Sequence, residues 1–414
     1  PVQICGVTDS QKVHVMYQVS EEKAWRLVVT HDDTRARELY DDFSYFEKNT
    51  WLYPARDLLF YSSDIHGNLL TRQRMQVFKH LMEDVGGTVV TTVDGLMDHL
   101  LPLSMMKERR ILVESGEVLD IGDMKERLRD LGYERTGQVD GMGQFSIRGG
   151  IIDIFPLTEE LPVRIELWGD EVDSIRSFDP ESQRSITQMD SVLIYPAAEL
   201  TLTKEQMENG TDRIEKEGKK QEKAFREAGK PEEAHRIKTA VGELCEALRE
   251  GFDTHALDGY IRYFCKETVS FLEYMKEAAG TDRTDGALAG NGGSGERAGL
   301  AIFLDEPQRL LEKAGVVETE FRESMSHRLE KGYLLPGQTD LLFSAKAVLA
   351  AAQTPEAIFM TGLDQRLPGM AVKKKYSITG KNVSSYQNGF ELLIKDLTRW
   401  KKEGYRVVLL SASR

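Results

Sequence analysis

The sequence predicts an α/β fold: a parallel sheet with helices on its faces, interrupted by a smaller α+β module. Three observations carry this. Strand and helix signals alternate over the first hundred residues. That rhythm stops near residue 110, where short strands and Gly-rich turns take over. Buried-type strands then return at AIFLDE (301–306) and EAIFMTGL (356–363), after a long helical stretch.

The elements follow in order. PVQIC reads as a strand, with a helix through Lys12–Ser20 after a loop. WRLVVT (Trp25–Thr30) has the unbroken apolar character of a strand buried on both faces. Asp32, Asp33 and Thr34 can accept the free N–H groups of a helix running to about Phe46. TWLYPA is a strand, Leu69–Met82 an amphipathic helix, and TVVTTV a strand after Gly86–Gly87. Between 111 and 198 the pieces GQVDGMGQFSIRGGIIDIFP and PVRIELWGDEVDSIRSFDP read as short strands, the second a hairpin with Gly169–Asp170 at its tip. From about 199 the chain turns helical and highly charged, as a solvated helical hairpin or a coiled-coil pair. Residues 279–299 have the composition of a flexible surface loop. The last residues give a helix over 386–402, Gly404 as its C-cap and a strand over 405–410. No internal repeat is present.

Composition narrows the function. The 414 residues exceed one ordinary core, so two or three domains are expected. With 54 basic and 68 acidic side chains the net charge is −14, which disfavours general coating of nucleic acid. The segment 111–198 alone carries 18 acidic and 8 basic groups, a net of −10. No uncharged apolar run approaches the ~20 residues of a membrane span, and no signal peptide opens the chain. Cys5, Cys245 and Cys265 are three in number and far apart, which argues against disulfides or zinc and fits a reducing cytosol. The chain starts at Pro1 and stops after a strand-like stretch, so it reads as a piece of something longer.

Three motifs could carry chemistry. The first is a damaged phosphate loop, Gly6-Val7-Thr8-Asp9-Ser10-Gln11-Lys12-Val13. Gly6 and Lys12 keep the places of a G-x-x-x-x-G-K-[ST] pattern. Gln11 replaces the second glycine, whose bare backbone would curl around phosphate, and Val13 replaces the hydroxyl that would hold magnesium. Asp9 adds negative charge where phosphate would lie. The second is Asp305–Glu306 after an apolar strand, a pair that can hold magnesium in nucleotide hydrolases or simply end a strand. Without a working loop the pair has no nucleotide to serve.

The third lies in the inserted module. Alternation puts Val163, Ile165 and Leu167 on one face, and Arg164, Glu166 and Trp168 on the other. It likewise separates Phe145 and Ile147 from Gln144, Ser146 and Arg148, with Arg176 and Arg184 further on. Arg and Trp on one exposed face have the composition of a protein-binding hot spot. The bland alternative pairs these arginines with Glu166, Asp170 and Asp173 and packs Trp168 at a sheet edge.

GVTDSQK, LVVTHDDTRARELYDDF and above all RGGIIDIFP followed by RIE, GDEVDSIR, FDP and QRS resemble the amino-terminal region of bacterial transcription-repair coupling factors (Mfd), which is itself similar to UvrB. The motifs are clear over roughly 1–200, looser over 300–414, and absent from 203–299 beyond helical character. The resemblance implies a degenerate RecA/helicase-like domain formed by 1–110 and 199–383. A UvrA-binding domain, 111–198, is inserted into it, and a third domain begins in 384–414. Arg148, Arg164 and Trp168 then fall where the family contacts UvrA. Gly6, Gln11, Lys12, Val13, Asp305 and Glu306 become a degenerate nucleotide site, with no cofactor expected in this chain. UvrB's long DNA-clamping hairpin would be replaced by the short stretch YPARDLLFYSSDIHG (53–67). The implied role is non-catalytic recruitment of UvrA in transcription-coupled excision repair, in the bacterial cytoplasm. RNA polymerase and DNA are partners of other parts of the intact protein, an ATP-driven translocase. The rival readings are a working ATPase, or DNA binding through basic runs such as Lys107–Arg110 and Lys373–Lys375.

Overall fold

The computed structural model describes residues 1–56, 66–250, 257–280, 298–380, 386 and 389–409. Most of the stretch 279–299 and the centre of 53–67 lie outside these residues, as does the last residue of the expected 405–410 strand.

The first segment folds as β1 (Val2–Cys5), α1 (Asp9–Val19), β2 (Trp25–Thr30), α2 (Asp33–Ser44), β3 (Thr50–Tyr53), α3 (His66–Met82), β4 (Gly87–Thr92) and α4 (Leu103–Glu108). The Asp32 carboxylate caps α2 by accepting from the Arg35 N–H. Every residue of β2 is buried, and alternate side chains feed different cores. Leu27 and Val29 join the core that continues into the inserted module, while Val28 packs with Val13, Met16, Leu39 and Phe43 under α1 and α2. Arg26 tolerates full burial because its guanidinium reaches Ser20 and Glu47.

The module follows as β5 (Ile111–Glu114), α5 (Ile121–Asp130), β6 (Glu134–Arg135), β7 (Gln144–Arg148), β8 (Ile151–Ile154), β9 (Val163–Trp168), β10 (Glu171–Phe178), β11 (Ser185–Met189) and β12 (Ser191–Ile194). Its first and last strands pair antiparallel, Ile111 opposite Ile194 and Glu114 opposite Ser191. The chain therefore leaves and re-enters its host at one place. Between them lies a six-stranded sheet in the order β11-β10-β9-β8-β7-β6, antiparallel except for the β6–β7 pair.

The return segment gives α6 (Lys204–Glu227), α7 (Pro231–Glu250), α8 (Ile261–Phe264), α9 (Phe271–Ala278), β13 (Leu300–Asp305), α10 (Pro307–Glu330), α11 (Ala345–Ala352), β14 (Ile358–Thr361), β15 (Lys374–Ser377) and α12 (Phe390–Lys402). β13, β14 and β15 join the first segment in a seven-stranded sheet, β15-β1-β14-β13-β2-β4-β3. Every pair in it is parallel. The fold is thus α/β, helicase-like, with an inserted α+β module. Arg74, fully buried, ties the two host segments together: it holds Asp98 at 2.9 Å and Glu199 at 2.8 Å, and stacks over Tyr53.

One expectation needs correction. Residues 405–409 form no strand, because a strand exists only when its N–H and C=O groups are paired, and no described segment pairs with them. Of the basic runs, Lys373–Lys375 is exposed, with Lys374 and Lys375 opening the edge strand β15. Lys107–Arg110 is engaged internally, with Lys107 near Glu277 and Arg109 on Gln206. Among the described residues no helix is long and apolar enough to cross a membrane, and no cluster of ligands could hold a metal ion.

Candidate functional site

The residues of the expected degenerate nucleotide site lie where the loop after β1 meets the ends of β13 and β14. Gly6 turns with φ +78° and donates its N–H to the Thr361 carbonyl at 3.0 Å. Lys12, almost wholly buried, places Nζ 2.8 Å from Asp305 Oδ1 and 2.8 Å from Glu306 Oε1. Arg35 adds a second cation, its Nε 3.3 Å from Asp305 Oδ2 and its Nη2 3.0 Å from Asp9. Burial alone would lower the Lys12 pKa, but Asp305 and Glu306 together hold it above its ordinary value. The lysine that would hold phosphate is thus spent on the carboxylates that would hold magnesium. Val13 points into the apolar core with Val7 and Met16.

The position is also covered. β15 adds to the sheet beside β1, Cys5 opposite Ser377, and the Ile378 N–H donates to the Cys5 carbonyl at 2.8 Å. A side chain on Gly6 would collide with the Ile378 carbonyl oxygen. A methyl group on Gly380 would lie 2.7 Å from Gln11 Oε1 and 3.1 Å from Thr8 Cγ2. Residues 377–380 therefore lie against the loop, a cover that sequence reading missed.

The inserted sheet is open by contrast. Its polar face is organised in rows of directly opposed residues, which share a face in a sheet. Ser146, Asp153, Arg164 and Arg176 make one row; Arg148, Ile151, Glu166 and Ser174 the next; Trp168 and Glu171 the last. The structure thus puts Arg148, Arg164 and Trp168 on one face. Their surroundings differ. Arg164 is mostly buried, with Nε 2.7 Å from Asp153 Oδ1 and Nη2 2.9 Å from Oδ2, and its guanidinium lies over the Phe178 ring. These bonds to Asp153 raise its pKa further. Arg148 reaches the same carboxylate, Nη2 to Oδ2 at 2.7 Å, but keeps about half its side chain in water. Trp168 is 84% exposed.

The bland pairing scheme therefore holds for Arg176 and Glu166 and fails for Arg148 and Arg164. Asp153, not Glu166, Asp170 or Asp173, takes Arg148 and Arg164, and Glu166 takes Arg176 at 2.6 Å. Trp168 packs at no edge. Its place at the hairpin end follows from Gly169, whose φ of +66° makes the tight turn. Ser146 lies on the polar face yet is buried, because the 136–139 segment crosses it and Gly137 accepts from its hydroxyl. Asp153 could have been found from the sequence: it is the one acid among isoleucines in GGIIDIF, and such an acid needs a cation.

Fold and surface together define the class: a helicase-like α/β scaffold carrying an inserted α+β domain with an open polar sheet face. Residues 111–200 match the family described as the UvrB interaction domain. Over 392 residues the chain is 29% identical to the transcription-repair-coupling factor of Bacillus subtilis (strain 168), covering 94% of this chain and 31% of that protein. It is 24% identical over 416 residues to that of Staphylococcus aureus (strain USA300), 98% of the chain and 33% of the relative. The chain is thus similar to the UvrB-homology region of the bacterial transcription-repair coupling factors, the resemblance its motifs carry. It spans about a third of the length of these relatives.

Proposed function

We propose that this chain is the UvrA-recruiting module of a protein acting in transcription-coupled nucleotide excision repair in the bacterial cytoplasm. The inserted domain binds UvrA through its polar sheet face. Trp168 and Arg148 supply exposed contact, and Arg164 contributes from a more fixed position. The single observation that carries this reading is an unpacked tryptophan beside two aligned arginines on a domain matching the UvrB interaction family. Aromatic and Arg side chains are the usual energetic anchors of protein interfaces.

The helicase-like domain serves as scaffold, with neither nucleotide hydrolysis nor a cofactor of its own. Supporting this, Lys12 is held by Asp305 and Glu306 instead of being free for phosphate. The intact protein displaces stalled RNA polymerase by ATP-driven translocation on DNA, using segments other than these residues.

The test is binding of purified UvrA to the wild-type chain and to the triple variant Arg148→Ala, Arg164→Ala, Trp168→Ala. Binding by the wild type that vanishes in a still-folded triple variant supports the reading. Equal binding by both places the interface elsewhere, and no binding by either removes UvrA as the partner of this chain.

A further inference from the structure

Val118 belongs to none of the motifs above. It lies in the stretch between β5 and α5, which runs antiparallel along the start of β10. Gly116 N–H donates to the Val172 carbonyl at 2.8 Å, Val172 N–H to Glu117 at 2.8 Å, and Leu119 N–H to Asp170 at 2.7 Å. These bonds set Val118 directly opposite Glu171. They bracket the pair rather than join it, the arrangement in which opposed side chains come closest. On the other side of Glu171, β9 sets Trp168 opposite it. Opposed residues share a face with Cβ atoms about 5 Å apart, so Val118, Glu171 and Trp168 form one continuous row.

The row is unusual in two ways. Among the described residues Trp168 at 84% and Val118 at 80% are the most exposed large hydrophobic side chains. Between them, the Glu171 carboxylate has no ion pair or hydrogen bond among the described residues, whereas Glu166, one row away, is held by Arg176 and Ser174. Asp170 and Asp173 beside it are exposed as well, on a segment of net charge −10. An isolated exposed hydrophobe is ordinary. Two of them flanking an unpaired carboxylate make a notch whose complement is a long cationic side chain.

We infer that the Val118–Glu171–Trp168 row receives one basic side chain of the partner protein, an arginine in preference to a lysine. Its apolar stem lies between the isopropyl group and the indole, and its cationic head meets Glu171. A guanidinium suits this place because it stacks on an indole face while forking to a carboxylate. The inference rests on the proposed UvrA reading and extends that surface from the arginine rows to the hairpin tip.

Calorimetric titration of UvrA into the full chain tests it, with Val118→Ala, Glu171→Gln, Glu171→Lys and Arg148→Ala as variants. All three positions are exposed, and circular dichroism checks each fold. Expected losses of affinity are about fivefold for Val118→Ala, about tenfold for Glu171→Gln and about a hundredfold for Glu171→Lys, the range of moderate to strong interface positions. Glu171→Gln also weakens the dependence of affinity on salt, because one attractive charge pair is gone. If Val118→Ala and Glu171→Gln bind like wild type while Arg148→Ala weakens binding, the row lies outside the interface and the UvrA reading stands. If Glu171→Lys binds as well as wild type, the occupant is not a cation and the inference falls. If the wild type does not bind, both readings fall.

Discussion

Two sets of opposed charges in this chain have the same ingredients and opposite fates. At the end of the seven-stranded sheet, Lys12 and Arg35 face Asp305, Glu306 and Asp9, and β15 with its following residues lies against the adjoining Gly6–Gln11 loop. On the inserted sheet, Arg148 and Arg164 share the single buried carboxylate of Asp153, with Trp168 and Glu171 standing free beyond them. The first set has its cations matched by carboxylates and buries the Lys12–Asp305 pair, with Asp9 at its exposed rim. The second ties Arg164 to Asp153 and Gln183 but holds Arg148 by one bond to Asp153, with about half of its side chain in water. An arginine tied by part of its fork still presents the remaining N–H groups in a fixed direction, and fixed donors lose little entropy on binding. Ion pairing closes one site and pre-orders the other. What decides between these outcomes is stoichiometry and cover, not residue type.

The largest effect expected is on stability, at the closed cluster. Lys12→Met leaves Asp305 buried with only the more distant Arg35 as counter-charge. Such an uncompensated charge should cost about 3–5 kcal/mol, read from urea unfolding. Adding Asp305→Asn should recover part of that loss, since replacing both partners of a buried pair is far milder than removing one. A Lys12→Met cost near zero would mean that the cluster is open to water, and the contrast would collapse.

Next comes a division among the three arginine and tryptophan positions. Trp168→Ala should weaken UvrA binding by on the order of 1–4 kcal/mol with no change in melting temperature, because the ring packs against little. Arg164→Ala should lower both affinity and stability, because it strips two hydrogen bonds from a fully buried Asp153 and uncovers Phe178. Parallel calorimetry and thermal melts separate them. Equal stability losses at Trp168 and Arg164 would contradict the graded exposure of the face.

A smaller effect distinguishes the two regions by pH. The folded-state pKa of Lys12 lies above the ordinary value of 10.5. Its contribution to stability is therefore fully present below pH 10.5 and is lost as pH rises through the raised folded value. The stability gap between wild type and Lys12→Met should be constant from neutral pH to about 10 and then shrink. The matching gap for Arg164→Ala should stay flat across that range, since the Asp153 carboxylate holds its guanidinium charged throughout. A gap for Lys12 that shrinks toward acid instead would reverse the sign argued here.

How much of this was legible beforehand follows from what is local. Gln11 and Val13 could be judged because the phosphate-loop pattern is contiguous, and the Trp168 face because strand alternation is a period of two. The hairpin tip at Gly169 was equally local. The cover over Gly6 was not, since it depends on β15 finding the edge of β1 across some 370 residues, and Lys-rich KKYS carries no sign of its neighbour. Asp153 is legible as an acid that needs a cation, but which cation takes it depends on the register that sets it opposite Arg164. Val118 escapes for the same reason: it lies between β5 and α5, and only the bridge to Glu171 brings it to the face. The expected strand over 405–410 failed in the opposite way, with local strand character in 405–409 but no paired neighbour among the described residues.

The smallest effect expected is none at all, and it bears hardest on the closed site. If the two sequence departures alone disabled the loop, Gln11→Gly with Val13→Thr would restore nucleotide binding, seen as saturable thermal stabilisation by Mg-ATP. The geometry argues otherwise. The repaired loop would still hold Lys12 between Asp305 and Glu306, still face Asp9, and still lie under the Ile378 carbonyl and Gly380. A phosphate would have to displace a buried ion pair and a sheet-edge strand before gaining a contact. The repaired variant should therefore show no Mg-ATP shift, and a melting temperature at or below wild type, since Val13→Thr sets a hydroxyl in the apolar core beside Met16. A clear Mg-ATP shift in that variant would show that the loop residues, and not the ion cluster and its cover, had closed the site.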